Sequence, residues 1–239
     1  EMRSIVAAAG FSIEHTPEVE ADAKRAVDTY GNITPEEVAL RKDMRDVWTC
    51  TIDPADAKDF DDALSYQVLP NGNTEIGIHI ADVSHFVRPG TILDTEARKR
   101  AFSVYLVDRT IPMLPEILSN GICSLNPNED RFACSSIFEF NTNKEIVSKW
   151  FGKTIIHSNK RFSYEEAQDV LDVGDTHEFP ALFSLADFAR KLQADRKQAG
   201  AIDFESDEIK FILDEKGFPI QVYKKDRIFT NHLVEEFML

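Results

Sequence analysis

Asp53, Asp59, Asp61 and Asp62 fall within ten residues in the run TIDPADAKDFDDA, with Asp56 among them. Two like charges about 4 Å apart repel by roughly 1 kcal/mol in water and about 4 kcal/mol at an effective dielectric near 20. Folding such a group into one place is unfavourable unless a cation offsets it. Hard oxygen donors at irregular spacing suit Mg²⁺, Mn²⁺ or Ca²⁺ rather than zinc. Three other readings compete. An Asp-rich loop can be a solvated surface segment. An EF-hand fails on spacing: counted from Asp53, position 6 is Lys58 and position 12 is Leu64; counted from Asp59, position 12 is Pro70. A D-x-D phosphotransferase loop would use Asp59 and Asp61.

The flanking residues must position these carboxylates. Trp48 to Ile52 is β-branched and aromatic and reads as a strand. Pro54 biases Asp53 towards an extended conformation and ends the ladder. Asp53 is therefore expected at a strand end. A small, polar stretch leads from there into a second strand, Ala63 to Leu69. Adjacent Asp61 and Asp62 point to opposite sides of an extended chain, whereas Asp59 and Asp61 can share one face.

Along the rest of the chain, Thr16-Pro17 starts a helix. Thr34-Pro35-Glu36-Glu37 is a capping box for another. Strands follow at 48–52, 62–69 and 74–80, the last two joined at Asn71-Gly72. A helix covers 91–102, and Pro112, Pro115 and Pro127 keep 108–130 irregular. Strands at 132–140 and 145–156 flank Asn141 to Lys144. Ser163-Tyr164-Glu165-Glu166 caps a helix, and a longer one spans 180–198. Strands 208–214 and 219–223 precede a final helix from Ile228. The pattern predicts a mixed α+β fold, mainly an antiparallel sheet with surrounding helices.

The chain has 239 residues, 43% of them hydrophobic, enough to bury a core. No run of eighteen apolar residues and no leader pattern occurs, so neither a membrane span nor a signal peptide is expected. Cys50, Cys123 and Cys134 lack C-x-x-C spacing and read as reduced thiols of a cytoplasmic protein. His79, His85 and His232 read as structural histidines. The net charge of −15 opposes long-range attraction to nucleic acid. Basic stretches remain at Arg98, Lys99 and Arg100; at Lys149, Lys153, Lys160 and Arg161; and at Lys224, Lys225 and Arg227. Each reads as a solvated face before it reads as a nucleic-acid track.

The acidic run resembles the catalytic signature of the ribonuclease II / ribonuclease R family, the RNB domain. The blocks IHIADVSHFVRPGTILDTEARKRAFSVYL, IPMLPEILSNGICSLNPNEDR, GAIDFESDEIKF and NHLVEEFML continue the similarity in the family's order. The wording SVYL, LSNGICSLNP and FESDE is closer to ribonuclease R. The resemblance implies a helical lead-in at 1–40 and the N-terminal part of an RNB catalytic domain at 41–239. It implies Mg²⁺-dependent, processive hydrolysis of single-stranded RNA from the 3′ end to nucleoside 5′-monophosphates, with Mn²⁺ as a substitute.

By the same resemblance, Asp53 and Asp62 are the principal magnesium ligands, and Asp59 and Asp61 complete the set. Asp61 is the carboxylate most tied to the chemical step, which is in-line attack of water on a phosphodiester. Tyr105 packs at the 3′-terminal nucleotide and Phe204 closes the other side of the clamp. Stacking of this kind is sequence-tolerant and worth roughly 1–3 kcal/mol per base. As bare residues both aromatics would read as core. Glu235 lies at the exit of the cleaved nucleotide, and Glu236 reads as an ordinary helix carboxylate. Arg98 and Arg100, which precede Tyr105, are the basic candidates for RNA contact.

The family continues past Met238-Leu239 with an arginine-bearing motif. An inactive fragment is therefore expected, from a parent chain with flanking cold-shock-like and S1 modules and a monomeric state. The competing functions are a non-catalytic RNA-binding relative and a structural calcium module.

Overall fold

The structure, a computed structural model, describes residue 6 and residues 8–107, 109–202, 208–215 and 218–239. Thr16 starts α1 (Pro17–Tyr30) by accepting the Val19 N–H, with proline in the first turn. Thr34 caps the short α2 (Pro35–Ala39) in the same way, through Glu37 N–H. Next come β1 (Lys42–Asp43), β2 (Thr49–Asp53), β3 (Asp62–Val68) and β4 (Thr74–Ala81). The β3–β4 turn places Gly72 at φ +82°, a left-handed conformation that glycine adopts without strain.

The chain continues through α3 (Val83–Phe86), α4 (Ile92–Arg100), β5 (Val104–Tyr105), β6 (Thr110–Ile111) and a π-helical turn (Ile117–Ile122). β7 (Asp130–Phe140) and β8 (Ile146–His157) form a long hairpin, followed by β9 (Lys160–Ser163). α5 (Tyr164–Val173) opens with a full capping box between Ser163 and Glu166. α6 (Pro180–Gln198), β10 (Glu208–Leu213), β11 (Pro219–Lys225) and α7 (Phe229–Met238) complete the order.

The α+β expectation holds: a seven-stranded sheet runs β1-β8-β7-β4-β3-β2-β9. Four of its pairings are antiparallel, while β1–β8 and β2–β9 are parallel. Those two parallel edges escape the sequence because their partners are over a hundred residues apart, as in Lys42 opposite Thr154. The segment expected to be irregular after residue 108 contains β6 and the π-helical turn.

Two compact units emerge, each discontinuous in sequence. The larger, Thr34–Ala81, Leu125–Asp207 and Asp226–Leu239, holds the whole sheet. One sheet face presents Cys50, Ile52, Leu64, Ile76, Phe140 and Phe162 to α5, α6 and α7. These contribute Ala167, Leu182, Leu185, Phe188, Leu233 and Phe237. The opposite face buries a polar chain. His79 Nε2 meets Ser65 Oγ at 2.9 Å and Nδ1 meets Ser135 Oγ at 2.6 Å; Ser135 Oγ in turn meets Thr154 Oγ1 at 2.6 Å. Burial lowers the His79 pKa to about 3, so the imidazole is neutral. Gly77 leaves room for this contact: a Cβ there would lie 2.4 Å from Ser65 Oγ and 2.7 Å from His79 Nε2.

The smaller unit comprises residues 1–33, Asp82–Ser124 and Glu208–Lys225. Within it, α1 packs Val19, Ala23 and Ala26 inward, and α4 contributes Leu93. Asp22 ties the two helices by accepting the Leu93 N–H at 3.0 Å. Arg100 departs from the sequence reading. It is buried (7% exposed) rather than facing RNA. Its Nε donates to Glu96 at 2.8 Å, and its terminal nitrogens donate to the carbonyls of Ser12, Pro112 and Glu14. A guanidinium committed to four acceptors holds the N-terminal segment against α4. Arg98 is exposed and pairs with Asp94 one turn back.

Arg100→Ala should therefore destabilise the chain by about 2–4 kcal/mol, because it orphans buried acceptors and a carboxylate. Arg98→Ala should stay within about 0.5 kcal/mol. Urea unfolding of the two variants beside the parent chain measures the contrast; equal effects would remove the anchoring role.

Candidate metal and active site

β2 is buried along its whole length and ends at Asp53, where Pro54 stops the ladder. β9 runs parallel beside it, with Thr51 opposite Arg161 and Asp53 opposite Ser163. Asp62 opens β3 opposite Ile80, and the Asp61 carbonyl accepts the Ala81 N–H at 2.9 Å. Both ends of the intervening loop are held. At its start, Arg161 donates to the carbonyls of Pro54 (2.9 Å) and Ala55 (2.8 Å). At its end, Phe60 is buried and its carbonyl accepts the Leu125 N–H at 2.9 Å. The Arg161 guanidinium also lies 5.5 Å from the Phe60 ring centre. With Phe60 turned inward, Asp59 and Asp61 flank it.

The electrostatics couple these carboxyls. Burial pushes Asp53 up to about 7, and the charge of Asp62 adds to this; the Thr51 hydroxyl and the Arg161 guanidinium oppose it. Asp61 is pushed up to about 6 by desolvation and by Asp59 and Asp62. It is exposed on one side, so solvent screens part of that repulsion. Asp62 is raised by burial. Nearby Tyr164 is pushed up to about 12 by burial and by the charges of Asp53 and Asp62. Asp59, half-buried, enters this group through its effect on Asp61.

Among the described residues, no three His, Cys, Asp or Glu side chains stand ready-grouped to hold one metal ion. Mutual repulsion favours such a spread arrangement of carboxylates. The donor chemistry nonetheless fits a hard divalent cation. Asp53 Oδ2 is buried without a hydrogen-bond donor, and a buried carboxylate oxygen in that state calls for a cation. Three raised carboxyls in one region point the same way, because a nearby positive charge would restore their ionised forms.

The other expected site residues are placed as follows. Tyr105 lies on β5 in the smaller unit and is 69% exposed, which removes its reading as a core aromatic. Phe204 lies outside the described residues. Glu235 pairs with Arg227 at 2.6 Å and with His232 at 3.4 Å. Glu236 is no ordinary helix carboxylate. It is buried, and Arg196 grips both of its oxygens, at 2.6 and 3.2 Å.

Two residues of the site were not anticipated. Arg161 reads in sequence as part of a basic face, but it anchors the acidic loop. Tyr164 reads only as the second residue of a helix cap. Neither role is visible without the parallel β2–β9 pairing.

The RNB domain family matches residues 41–239. DIS3-like exonuclease 2 of Schizosaccharomyces pombe is 44% identical over 223 residues, covering 87% of this chain and 24% of that protein. A protein of Arabidopsis thaliana named inactive exonuclease DIS3L2 is likewise 44% identical over 223 residues, covering 87% of this chain and 21% of its own. The solved structure of Mycoplasma genitalium RNase R in complex with ribose methylated single-stranded RNA superposes with a TM-score of 0.89 at 29% identity. It covers 99% of this chain and 37% of that chain. The chain thus spans well under half the length of these relatives. An acidic loop between β2 and β3, on a sheet of this topology and with a family match across 41–239, has one assignment: the chain belongs to the RNB domain family.

Proposed function

We propose that the chain carries the acidic half of a divalent-metal-dependent 3′→5′ exoribonuclease site, cytoplasmic and acting on single-stranded RNA. It would degrade RNA processively and release nucleoside 5′-monophosphates. The observation that carries this reading is the coupled carboxyl group at the β2–β3 loop, with Asp53 buried and its Oδ2 lacking a donor. A pure binding surface gains nothing from carboxylates placed where they repel one another and the RNA.

Asp53 and Asp62 would hold Mg²⁺, or Mn²⁺ in its place, with Asp59 and Asp61 completing the set. When bound, the ion supplies Lewis-acid polarisation of the phosphoryl group and a more acidic water. Asp61 is suited to orient that water and accept its proton: it is open on one side and lies beside the carboxyls that would hold the ion. Arg161 and Phe60 keep the loop from relaxing outwards under its own repulsion. Tyr105 and Phe204 are proposed to stack on the terminal bases, and Glu235 to line the exit of the cleaved nucleotide.

A second reading is a non-catalytic RNA-binding relative, favoured by the equal similarity to a protein named an inactive exonuclease. The test uses the full-length protein that carries this chain and 5′-labelled single-stranded RNA, with Mg²⁺ and with EDTA; the 239-residue chain alone is expected to be inactive. A ladder shortening from the 3′ end in Mg²⁺ alone, lowered by roughly 10²- to 10⁴-fold in Asp61→Asn, is expected. A folded full-length protein that binds RNA but shortens it in no divalent ion would select the second reading.

The raised carboxyls also set a pH dependence. In the metal-free chain Asp53 and Asp61 retain protons up to about 7 and 6, whereas the unfolded chain releases them near 3.8. Between those values the native state binds more protons than the unfolded one, so this contribution to stability falls as pH rises through the window. Melting in EDTA across about pH 5 to 8 should show the decline, and Asp53→Asn should flatten it. Added Mg²⁺ should raise the midpoint more at the alkaline end. A wild-type slope unchanged in Asp53→Asn would remove the assignment of the buried proton.

A further inference from the structure

The smaller unit holds a cleft of about 190 Å³ between α1 and the chain from Phe86 to Leu93. None of the residues assigned to the acidic site lines it. From α1 it takes Asp22, Arg25, Ala26, Thr29 and Tyr30, which share one helix face at i, i+3, i+4, i+7 and i+8. The floor is apolar, since Ala26, Phe86 and Leu93 are all buried. The rim is cationic, with Arg25 on one wall and Arg88 on the other.

Arg88 is exposed yet held in place. Its Nε donates to the His85 carbonyl at 2.8 Å, and its guanidinium lies 4.6 Å over the Tyr30 ring. That ring is itself set: His85 stands edge-on to it at 6.0 Å, and His85 Nε2 donates to the Tyr30 carbonyl at 3.0 Å. The Thr91 hydroxyl donates to the Arg88 carbonyl at 2.7 Å. Among the described residues, no acceptor meets the two terminal nitrogens of Arg88. Arg25 donates through one terminal nitrogen to Asp22 at 2.7 Å, and Asp22 turns its other oxygen to the Leu93 N–H. Thr29 adds a hydroxyl to the lining. Two guanidinia against one carboxylate leave the cleft net positive, in a chain whose net charge is −15.

Pockets for drug-sized ligands run to roughly 300–1,000 Å³, so this cleft takes a small ligand or one end of a larger one. A carboxylate is matched by a single guanidinium, as Asp22 matches Arg25. A phosphate monoester carries close to two charges near neutral pH and three acceptor oxygens, and so matches two. We propose that the cleft binds a small phosphate dianion, either inorganic phosphate or the terminal phosphate of a nucleoside 5′-monophosphate. Arg88 and Arg25 grip its oxygens from the two walls, and Thr29 donates to it. The site goes beyond the exoribonuclease reading and does not depend on it, although a mononucleotide would be the product of that reaction.

The test is equilibrium dialysis of radiolabelled inorganic phosphate and of uridine 5′-monophosphate against the full-length protein that carries this chain. It is run in EDTA at fixed ionic strength, where the acidic site holds no ion and repels phosphate. Arg88→Gln and Arg25→Gln should each weaken binding by about tenfold or more, as loss of a charge-assisted contact implies. Thr29→Glu keeps both arginines but sets a carboxylate at the rim, and should weaken binding at least as much. Lys24→Gln, on α1 but outside the cleft, should leave affinity unchanged. These positions are exposed, so the variants should fold like the parent. A loss confined to inorganic phosphate, or to the mononucleotide, keeps the site and identifies its ligand. Affinities that none of the cleft variants alters overturn it, as does a protein that binds neither ligand. Uridine bound as tightly as its monophosphate, and lost in the same variants, also overturns it, because the cleft then recognises the nucleoside. An oligouridine with hydroxyl ends that displaces the mononucleotide from the cleft overturns it too and makes the cleft a contact for polymer backbone. Failure to cleave RNA in Mg²⁺, with these ligands still bound and lost in the variants, removes the exoribonuclease reading and keeps the site.

Discussion

Burial of Asp53 at the end of β2 is the constraint around which the larger unit is arranged. A carboxyl there loses hydration and feels the charge of Asp62, so the isolated arrangement favours a proton over an ion. The fold holds it regardless, because both neighbours of β2 are fixed by ladders and because the strand is buried throughout. The loop that follows would relieve repulsion by swinging outwards. Arg161 takes two of its carbonyls and Phe60 plugs its far end into the core. The energy that the site costs is thus borne by hydrogen bonds and packing that have no catalytic part.

In this chain of net charge −15, several arginines serve the fold itself. Arg41, Arg100, Arg161 and Arg196 are all engaged in internal contacts: with Thr154 O and Glu37, with Glu96 and three carbonyls, with the acidic loop, and with Glu236. Planar guanidinia that bind several acceptors at once suit such anchoring better than lysine does.

Much of this was legible in the residues. Thr16-Pro17, Thr34-Pro35, Asn71-Gly72 and Ser163–Glu166 are local signals, and each marks its element because capping and turn chemistry act within four residues. The acidic loop was legible for the same reason. What was not legible is non-local. Arg161 beside Thr51, Arg100 reaching back to Ser12, and Arg196 clamping Glu236 join residues that no spacing rule connects. The reading of Arg100 as an RNA contact failed because a basic run on a helix looks the same whether one member points outwards or inwards.

The register of the sheet links its two faces. A one-residue slip between β3 and β4 would exchange Asp62 and Leu64 with Ala63 and Ser65, turning the carboxylate to the other face. Apolar patterning on β3 resists this weakly near the site, since Ala63 is small enough to sit on either side. The buried chain from Ser65 through His79 and Ser135 to Thr154 resists it strongly. Any slip separates a neutral imidazole and three hydroxyls from their partners inside the protein. Gly77 supplies the clearance that lets Ser65 and His79 meet. The polar chain on one face of the sheet therefore fixes which face Asp62 presents, and with it the position of the acidic site, although none of its members touches that site.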